Sequence, residues 1–244
     1  MGGATHHDWR PPMLDKRISL SEAIASISDG ARVALGGNTL HRGPSAAVHE
    51  IVRQRKRGLE IVKTAGAYDI DLLAATGCAA SVAVGFVGFE TVLGLAPGYR
   101  RAVEQGRIAV KEHACYTVIA GLRAAVQGVP FMPVAGLTGS DVPRVTGFHT
   151  LTDPYTGENV IVVPRLQPDV AILHVQEADL EGNARIWGTR FEDVLMAQAA
   201  RRVIVTAEQI VDGAMFEAAP ETVTIPGFLV EAVVEAPRGA WPCS

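Results

Sequence analysis

The sequence is short of the features that announce many protein classes. It has three cysteines, Cys78, Cys115 and Cys243, an odd number with no CxxC pair. That excludes a disulfide scaffold and a metal finger, and it suits reduced thiols in a cytoplasm. There is no long hydrophobic run: the longest apolar stretch, Val82 to Phe89, falls far below the ~20 residues of a membrane helix. Positive charge is not in surplus. A formal net charge of −4 at pH 7 argues against a nucleic-acid footprint or a basic membrane-binding face. The opening "MGGATHHDWRPP" lacks the apolar core of a signal peptide, so residues 1–14 read as a disordered tail and the protein as cytoplasmic. Neither GxGxxG nor GxxxxGK[ST] occurs, so a nucleotide fingerprint is missing. No internal repeat or low-complexity tract is visible.

What is present is an ordinary globular composition, 48% hydrophobic and 20% charged over 244 residues, with ample length for one large α/β domain. Ser19-Leu20-Ser21-Glu22 has the form of a capping box, and Leu20, Ile24 and Ile27 continue it at helical spacing. Residues 31–35 form a short apolar run ended by Gly36 and Gly37, and 46–57 then place Ala47, Val48, Ile51 and Val52 on one helical face. Strands are expected over 59–63, 81–89, 170–175 and 202–206, and helices over 114–126 and 191–200. Such alternation indicates a mainly parallel sheet covered on both faces. The basic cluster Arg53, Arg55, Lys56 and Arg57 falls at a helix end, where it complements the dipole. Residues 130–159, rich in Pro, Gly, Thr and Asp, break the rhythm and read as a long irregular segment within the domain that spans 15–244.

In parallel sheets ligands bind beyond the carboxyl ends of the strands, and Gly36 and Gly37 stand at such an end. Paired glycines let backbone come close to a ligand or to another piece of chain, and their amides can stabilise an oxyanion; a plain tight turn is the alternative. Asn38, Gly43, His41 and Arg42 lie beside them. Glu112 follows an expected strand, "RIAVKE", and would face the pocket mouth as a base or orienting carboxylate. His113 would orient that carboxylate or tune its pKa, or else cap the helix that follows. Ser140 and Asp141 are placed for a polar substrate group, with local turn bonding as the alternative. Asp179, Gly182 and Asn183 read as a turn with positive-φ positions. No metal site is indicated.

Several segments, in order, carry a resemblance. "DGARVALGGNTLHRGPSAAVHEIV", "GFVGFETVLGLAPGYRRAVEQGRIAVKEHACY", "GLRAAVQGVPFMPVAGLTGSDV", "ADLEGNARIWGTRFEDVLMAQAARRVIVTAEQIV" and "TIPGFLVEAVVEAPRGAWP" resemble the alpha, or A-type, chain of class I coenzyme A transferases, in the glutaconate branch, across residues 15–242. The resemblance implies a three-layer Rossmann-like α/β fold, with helices on both faces of a mainly parallel sheet. It implies coenzyme A as a co-substrate with no tightly bound cofactor, and acyl-CoA and carboxylic acids as substrates. It also implies a B-type partner subunit in an α2β2 assembly, whose glutamate attacks the acyl-CoA. Relatives acting on steroid ring fragments hydrolyse a CoA thioester's carbon–carbon bond instead and use a glutamate of the A-type chain; Glu90, Glu104 and Glu112 are the candidates here. Alpha chains of the glutaconate type run on for several dozen residues beyond the point matching Cys243-Ser244. A sugar-phosphate isomerase, which shares this architecture, and a ligand-sensing domain are the rival readings.

Overall fold

The computed structural model describes residues 14–90, 94–137 and 139–243; all but the last residue of the expected N-terminal tail lies outside them. Chain order gives α1 (Leu20–Ala25), β1 (Arg32–Leu35), α2 (Ser45–Arg53), β2 (Leu59–Gly66), α3 (Tyr68–Ala75) and β3 (Ala79–Val87). There follow α4 (Pro97–Glu104), β4 (Ala109–Glu112), α5 (Cys115–Val126), β5 (Phe131–Val134), α6 (Val142–Thr146), β6 (His149–Thr152) and β7 (Asn159–Pro164). The last elements are β8 (Val170–Ala178), β9 (Ala184–Arg185), α7 (Asp193–Ala199), β10 (Arg202–Ile210), α8 (Ala214–Ala218) and β11 (Ala232–Glu235).

The expected mainly parallel sheet is the heart of the molecule. Its order is β11-β10-β8-β1-β2-β3-β4, with β9 attached antiparallel to β8. Every other neighbouring pair is parallel. The chain leaves β1 in one direction through β2, β3 and β4, then returns to β8 on the opposite side of β1. The β1/β8 boundary is therefore a topological switch point, and the crevice outside its carboxyl end is where such sheets bind ligands.

Side-chain alternation along each strand builds two cores. Val33, Leu35, Ile61, Val82 and Ile172 face one layer, where Ile24, Val48, Ile51, Ile70, Leu73 and Ala102 supply the helical side. Ala34, Val62, Ala83, Ala171 and Leu173 face the other, against Val118 and Leu122 of α5 and Met196 and Ala197 of α7. The capping box at Ser19 and Glu22 is made as expected. Beyond the β11 edge, the amide of Ile18 donates to the Val233 carbonyl at 2.9 Å, which covers the unpaired strand edge.

Several boundaries differ from the sequence reading. α2 stops at Arg53 because Arg55 takes φ +56°, so the basic cluster straddles the helix end. There Lys56 Nζ donates to the Ile27 carbonyl at 2.6 Å. β2, β8 and β10 run three or four residues further than the sequence indicated, while β3 starts and stops earlier. α3 was not expected at all: its short apolar stripe follows β2 without a turn signal. The largest correction concerns 130–159. It is not irregular but carries β5, α6 and β6, and with β7 it forms a three-stranded antiparallel sheet of order β5-β7-β6. Ala120 of α5 packs on Val134, Leu137 and Val163 of this unit. Short strands rich in Pro, Gly and Thr carry little periodicity, and their pairing with β7 is what makes them strands.

Candidate active site

The loop after β1 is built around the two glycines. Gly37 has φ +69°, and a Cβ there would collide with the carbonyls of His41 and Arg42. A Cβ at Gly36 would collide with the carboxylate of Asp193 and with Leu173. The room that the glycines leave is thus taken by the chain's own atoms. Asn38 and His41 pair through their backbones, at 3.0 and 2.8 Å, closing a tight turn. Thr39 and Arg42 both hold positive φ, +44° and +54°, unusual for a β-branched and a long side chain respectively.

Apart from Arg55 at the end of α2, strain of this kind gathers at one end of the molecule. Glu90, Phe191 and Arg238 also have positive φ, and all three lie in connections at the carboxyl ends of strands. Sparsely allowed backbone conformations persist where the surroundings fix them, and they concentrate at ligand sites.

Three polar links hold the loop. Arg42 is buried and grips Asp193 with both arms: Nη1 to Oδ1 at 2.9 Å and Nη2 to Oδ2 at 2.7 Å. It also donates to the His174 carbonyl at 2.7 Å, and the Phe191 ring lies 5.9 Å from its guanidinium. Lys63, wholly inaccessible on β2, donates to the Gly36 carbonyl at 2.7 Å and to Asp69 Oδ2 at 2.6 Å. Asp69 Oδ1 accepts the amides of Ala67 and Ile70, which anchors the start of α3. Buried ionic groups persist only when paired and hydrogen-bonded in this way.

The third link lies at the mouth. Thr64 donates its hydroxyl to Glu192 Oε2 at 2.8 Å, and Asn38 Nδ2 lies 3.4 Å from the same hydroxyl oxygen. The Cys115 thiol, at the start of α5, reaches the Thr64 carbonyl at 3.4 Å. Burial, followed by the nearby Glu192 carboxylate, pushes that thiol above its ordinary pKa, so it is a weak nucleophile at neutral pH.

His174 lies behind the loop. Its Nδ1 meets Thr206 Oγ1 and its Nε2 meets Glu208 Oε1, both at 2.9 Å. Burial above all holds its pKa below the ordinary value, against the upward pull of Glu208. Glu208 also accepts the amide of Arg238, so this group of side chains ties the carboxyl ends of β8 and β10 to the turn after β11.

The residues singled out from sequence fall into two sets. Gly36, Gly37, Asn38 and Gly43 come together in the loop at the switch point. Glu112 stands apart: it ends the exposed edge strand β4, three strand spacings from β1, or roughly 14 Å along the sheet. His113 does not reach it. Its Nδ1 meets Thr117 Oγ1 at 2.9 Å, and its ring packs edge-on against Phe148, centroids 5.4 Å apart. Burial, aided by Lys111, lowers its pKa to about 4, so it is neutral at pH 7. Thr117 rather than His113 caps α5, accepting the Ala114 amide at 2.9 Å. Ser140 donates to the Leu137 carbonyl, and the exposed Asp141 pairs with Arg144; both lie in the antiparallel unit. Glu104 is in an exposed pair with Arg100. Asp179 receives the amide and the side-chain amide of Asn183, each at 2.8 Å, and Gly182 has φ +92°: a turn held from within.

Sequence reasoning passed over Lys63, Asp69, Thr64, Glu192 and Asp193. One signal was available, since a lysine inside "LEIVKTAG" is a charge in a buried strand and implies a partner. Among the described residues no group of three or more His, Cys, Asp or Glu side chains is arranged to hold a metal ion. None of the described helices is long and apolar enough to cross a membrane.

A two-layered core around a parallel sheet, with a strained loop at the switch point, defines the class, and comparison with known proteins gives the family. The chain belongs to the coenzyme A transferase family, whose model matches residues 17–236. It is 34% identical to the A-type chain of glutaconate CoA-transferase from Acidaminococcus fermentans, over 94% of this chain and 77% of that one. The crystal structure of that transferase superposes with a TM-score of 0.88, covering 94% and 78% of the two chains. The AibA/AibB decarboxylase structure, 39% identical, gives 0.85 over 93% of this chain and 85% of that one. A cholesterol ring-cleaving hydrolase IpdA subunit from Rhodococcus jostii is 33% identical over 93% of this chain and 79% of its own length. An uncharacterized Archaeoglobus fulgidus protein is 39% identical, and the chain spans 52% of its length.

Proposed function

We propose that this chain is the alpha chain of a two-chain cytoplasmic enzyme that moves coenzyme A from an acyl-CoA to a free carboxylic acid. A B-type partner, in an α2β2 assembly, supplies the glutamate that attacks the thioester, and a glutamyl-CoA intermediate follows. Dividing the acyl transfer in this way replaces one hard step with easier ones. Coenzyme A enters as a co-substrate, with no tightly bound cofactor, nucleic acid or membrane involved. This chain contributes the wall formed by Gly36, Gly37, Asn38 and Gly43; the amides of Gly36, Gly37 and Asn38 are held by Ile172, Asp193 and His41, so the donor this wall offers is the Asn38 side-chain amide. Ser140 and Asp141 meet the polar end of the acid, and Glu112 and His113 lie to one side, at and just beyond the end of the edge strand β4.

The observation that carries this reading is the identity with the glutaconate transferase chain over nearly the whole length. The test is co-expression with a B-type partner and an assay of CoA exchange between acetyl-CoA and glutaconate. The pair turns over, the isolated chain does not, and mass spectrometry finds CoA bound covalently to the partner. Full turnover by the isolated chain would reject the reading.

A second reading is a ring-opening hydrolase acting on a CoA thioester, supported by the likeness to the ring-cleaving hydrolase. Glu112 then acts as the base. Incorporation of ¹⁸O from water into product, with no acceptor acid present, separates the two.

A further inference from the structure

The steps above use Asn38 but give no role to the two side chains linked to it, Thr64 and Glu192. Glu192 stands at the N-cap of α7, a position that favours short acceptors such as Asp or Ser, and it makes no capping hydrogen bond. Its carboxylate instead crosses to β2 and accepts the Thr64 hydroxyl at 2.8 Å. A hydroxyl has one hydrogen. With that hydrogen directed to Glu192, Thr64 presents only lone pairs to Asn38, so the amide at 3.4 Å must offer an N–H. Among the described residues Thr64 is the one side-chain partner of Asn38 Nδ2, which leaves its second hydrogen for a ligand. Asn38 is half-buried at the switch point, in a turn held by its backbone pair with His41.

We propose that Glu192 is a positioning residue: by holding the Thr64 hydroxyl it fixes the Asn38 side-chain amide as a donor to the thioester carbonyl of a bound acyl-CoA. The proposal rests on the functional reading above. Its geometry has three consequences. The acceptor on residue 192 matters and its charge does not. Thr64 is the obligatory link. The effect falls on the chemical step, because a donor aimed at developing charge is felt most in the transition state.

The test uses Glu192→Met, Glu192→Gln, Thr64→Val, the Glu192→Met/Thr64→Val double variant and Asn38→Ala, each assembled with the B-type partner and supplied with acetyl-CoA and glutaconate. Glu192→Met frees the hydroxyl to turn toward Asn38 and flips or loosens its amide. Misplacing a group by about 1 Å can cost up to ~100-fold, and kcat is expected to fall about tenfold with KM within about twofold. Glu192→Gln, which keeps an acceptor at the same reach, recovers most of that loss. Thr64→Val reproduces the loss, and the double variant adds nothing further. Independently of activity, the Asn38 side-chain amide signals of the ¹⁵N-labelled chain, assigned through Asn38→Ala, shift in Glu192→Met and stay near their wild-type positions in Glu192→Gln. Unmoved Asn38 signals in Glu192→Met, or a double variant whose losses multiply, overturn the proposal. A wild-type assembly with no action on the thioester rejects the functional reading and the thioester role together, while the amide signals still report whether Glu192 orients Asn38.

Discussion

The carboxylate of Asp193 fills the space beside Gly36 into which a side chain would project, and the same carboxylate holds the buried Arg42. A hydrogen on one residue is thus the condition for an ion pair between two others. Gly36→Ala is expected to force Asp193 off Arg42 and leave a buried charge without its partner. Breaking such a pair costs about 3–5 kcal/mol. Thermal or urea unfolding reads the loss. A melting temperature equal to wild type would show that the carboxylate has somewhere else to go.

Arg42 and Asp193 are expected to be strongly coupled. Arg42→Met and Asp193→Leu each destabilise severely, because each strands the other's charge. The double variant recovers part of the loss, with a coupling energy of about 1–3 kcal/mol. It does not return fully, since the carbonyls of His174 and Thr189 also lose the guanidinium. Strict additivity in urea titrations of the four proteins would remove this pair as the clamp on the loop.

Glu112 and Glu104 make a matched pair for the catalytic question. If Glu112 acts as base, Glu112→Gln lowers kcat about 10²–10⁴-fold in the assembled enzyme with folding intact. Glu104→Gln, in an exposed pair with Arg100, changes stability little, because solvent screens such pairs, and leaves kcat alone. Near-full activity of Glu112→Gln would assign the chemistry to the partner's glutamate.

His113 makes stability depend on pH in a defined window. Its pKa in the folded chain is about 4, below the ordinary ~6.5 of an unfolded histidine. Between those values the unfolded chain binds the extra proton, so acid favours unfolding. The stabilisation is complete above about pH 6.5 and is lost as pH falls towards 4. His113→Phe retains a ring against Phe148, and Thr117 keeps its bonds to Ala114. That variant is expected to lose less melting temperature than wild type between pH 7 and pH 4.5. Parallel curves would mean that His113 protonates without strain.

Much of the architecture could be read from the chain because it depends on short-range pattern. The capping box at Ser19 is satisfied within one helical turn. The apolar runs at 31–35, 170–175 and 202–206 are strands because a sheet covered on both faces needs largely hydrophobic stretches. The Gly36-Gly37 pair identified the strand end that carries the loop, and the ordered motifs identified the family. Residues 130–159 were misread for the opposite reason: β5 and β6 acquire strand character only from pairing with β7.

What the sequence determined by itself was therefore the local geometry, a strand that stops at two glycines and a loop that must turn back. The reason for the glycines was decided only by the tertiary structure. Asp193 is far from Gly36 in the chain and reaches it because α7 packs on the face of the sheet opposite α2 and α3. The same folding brings Lys63 to the Gly36 carbonyl and Glu192 to Thr64. Hydrogen bonds and ion pairs act over a few ångströms of space without regard to sequence separation. No periodicity in the chain can encode which acid meets which loop, and that pairing shapes the mouth of the site.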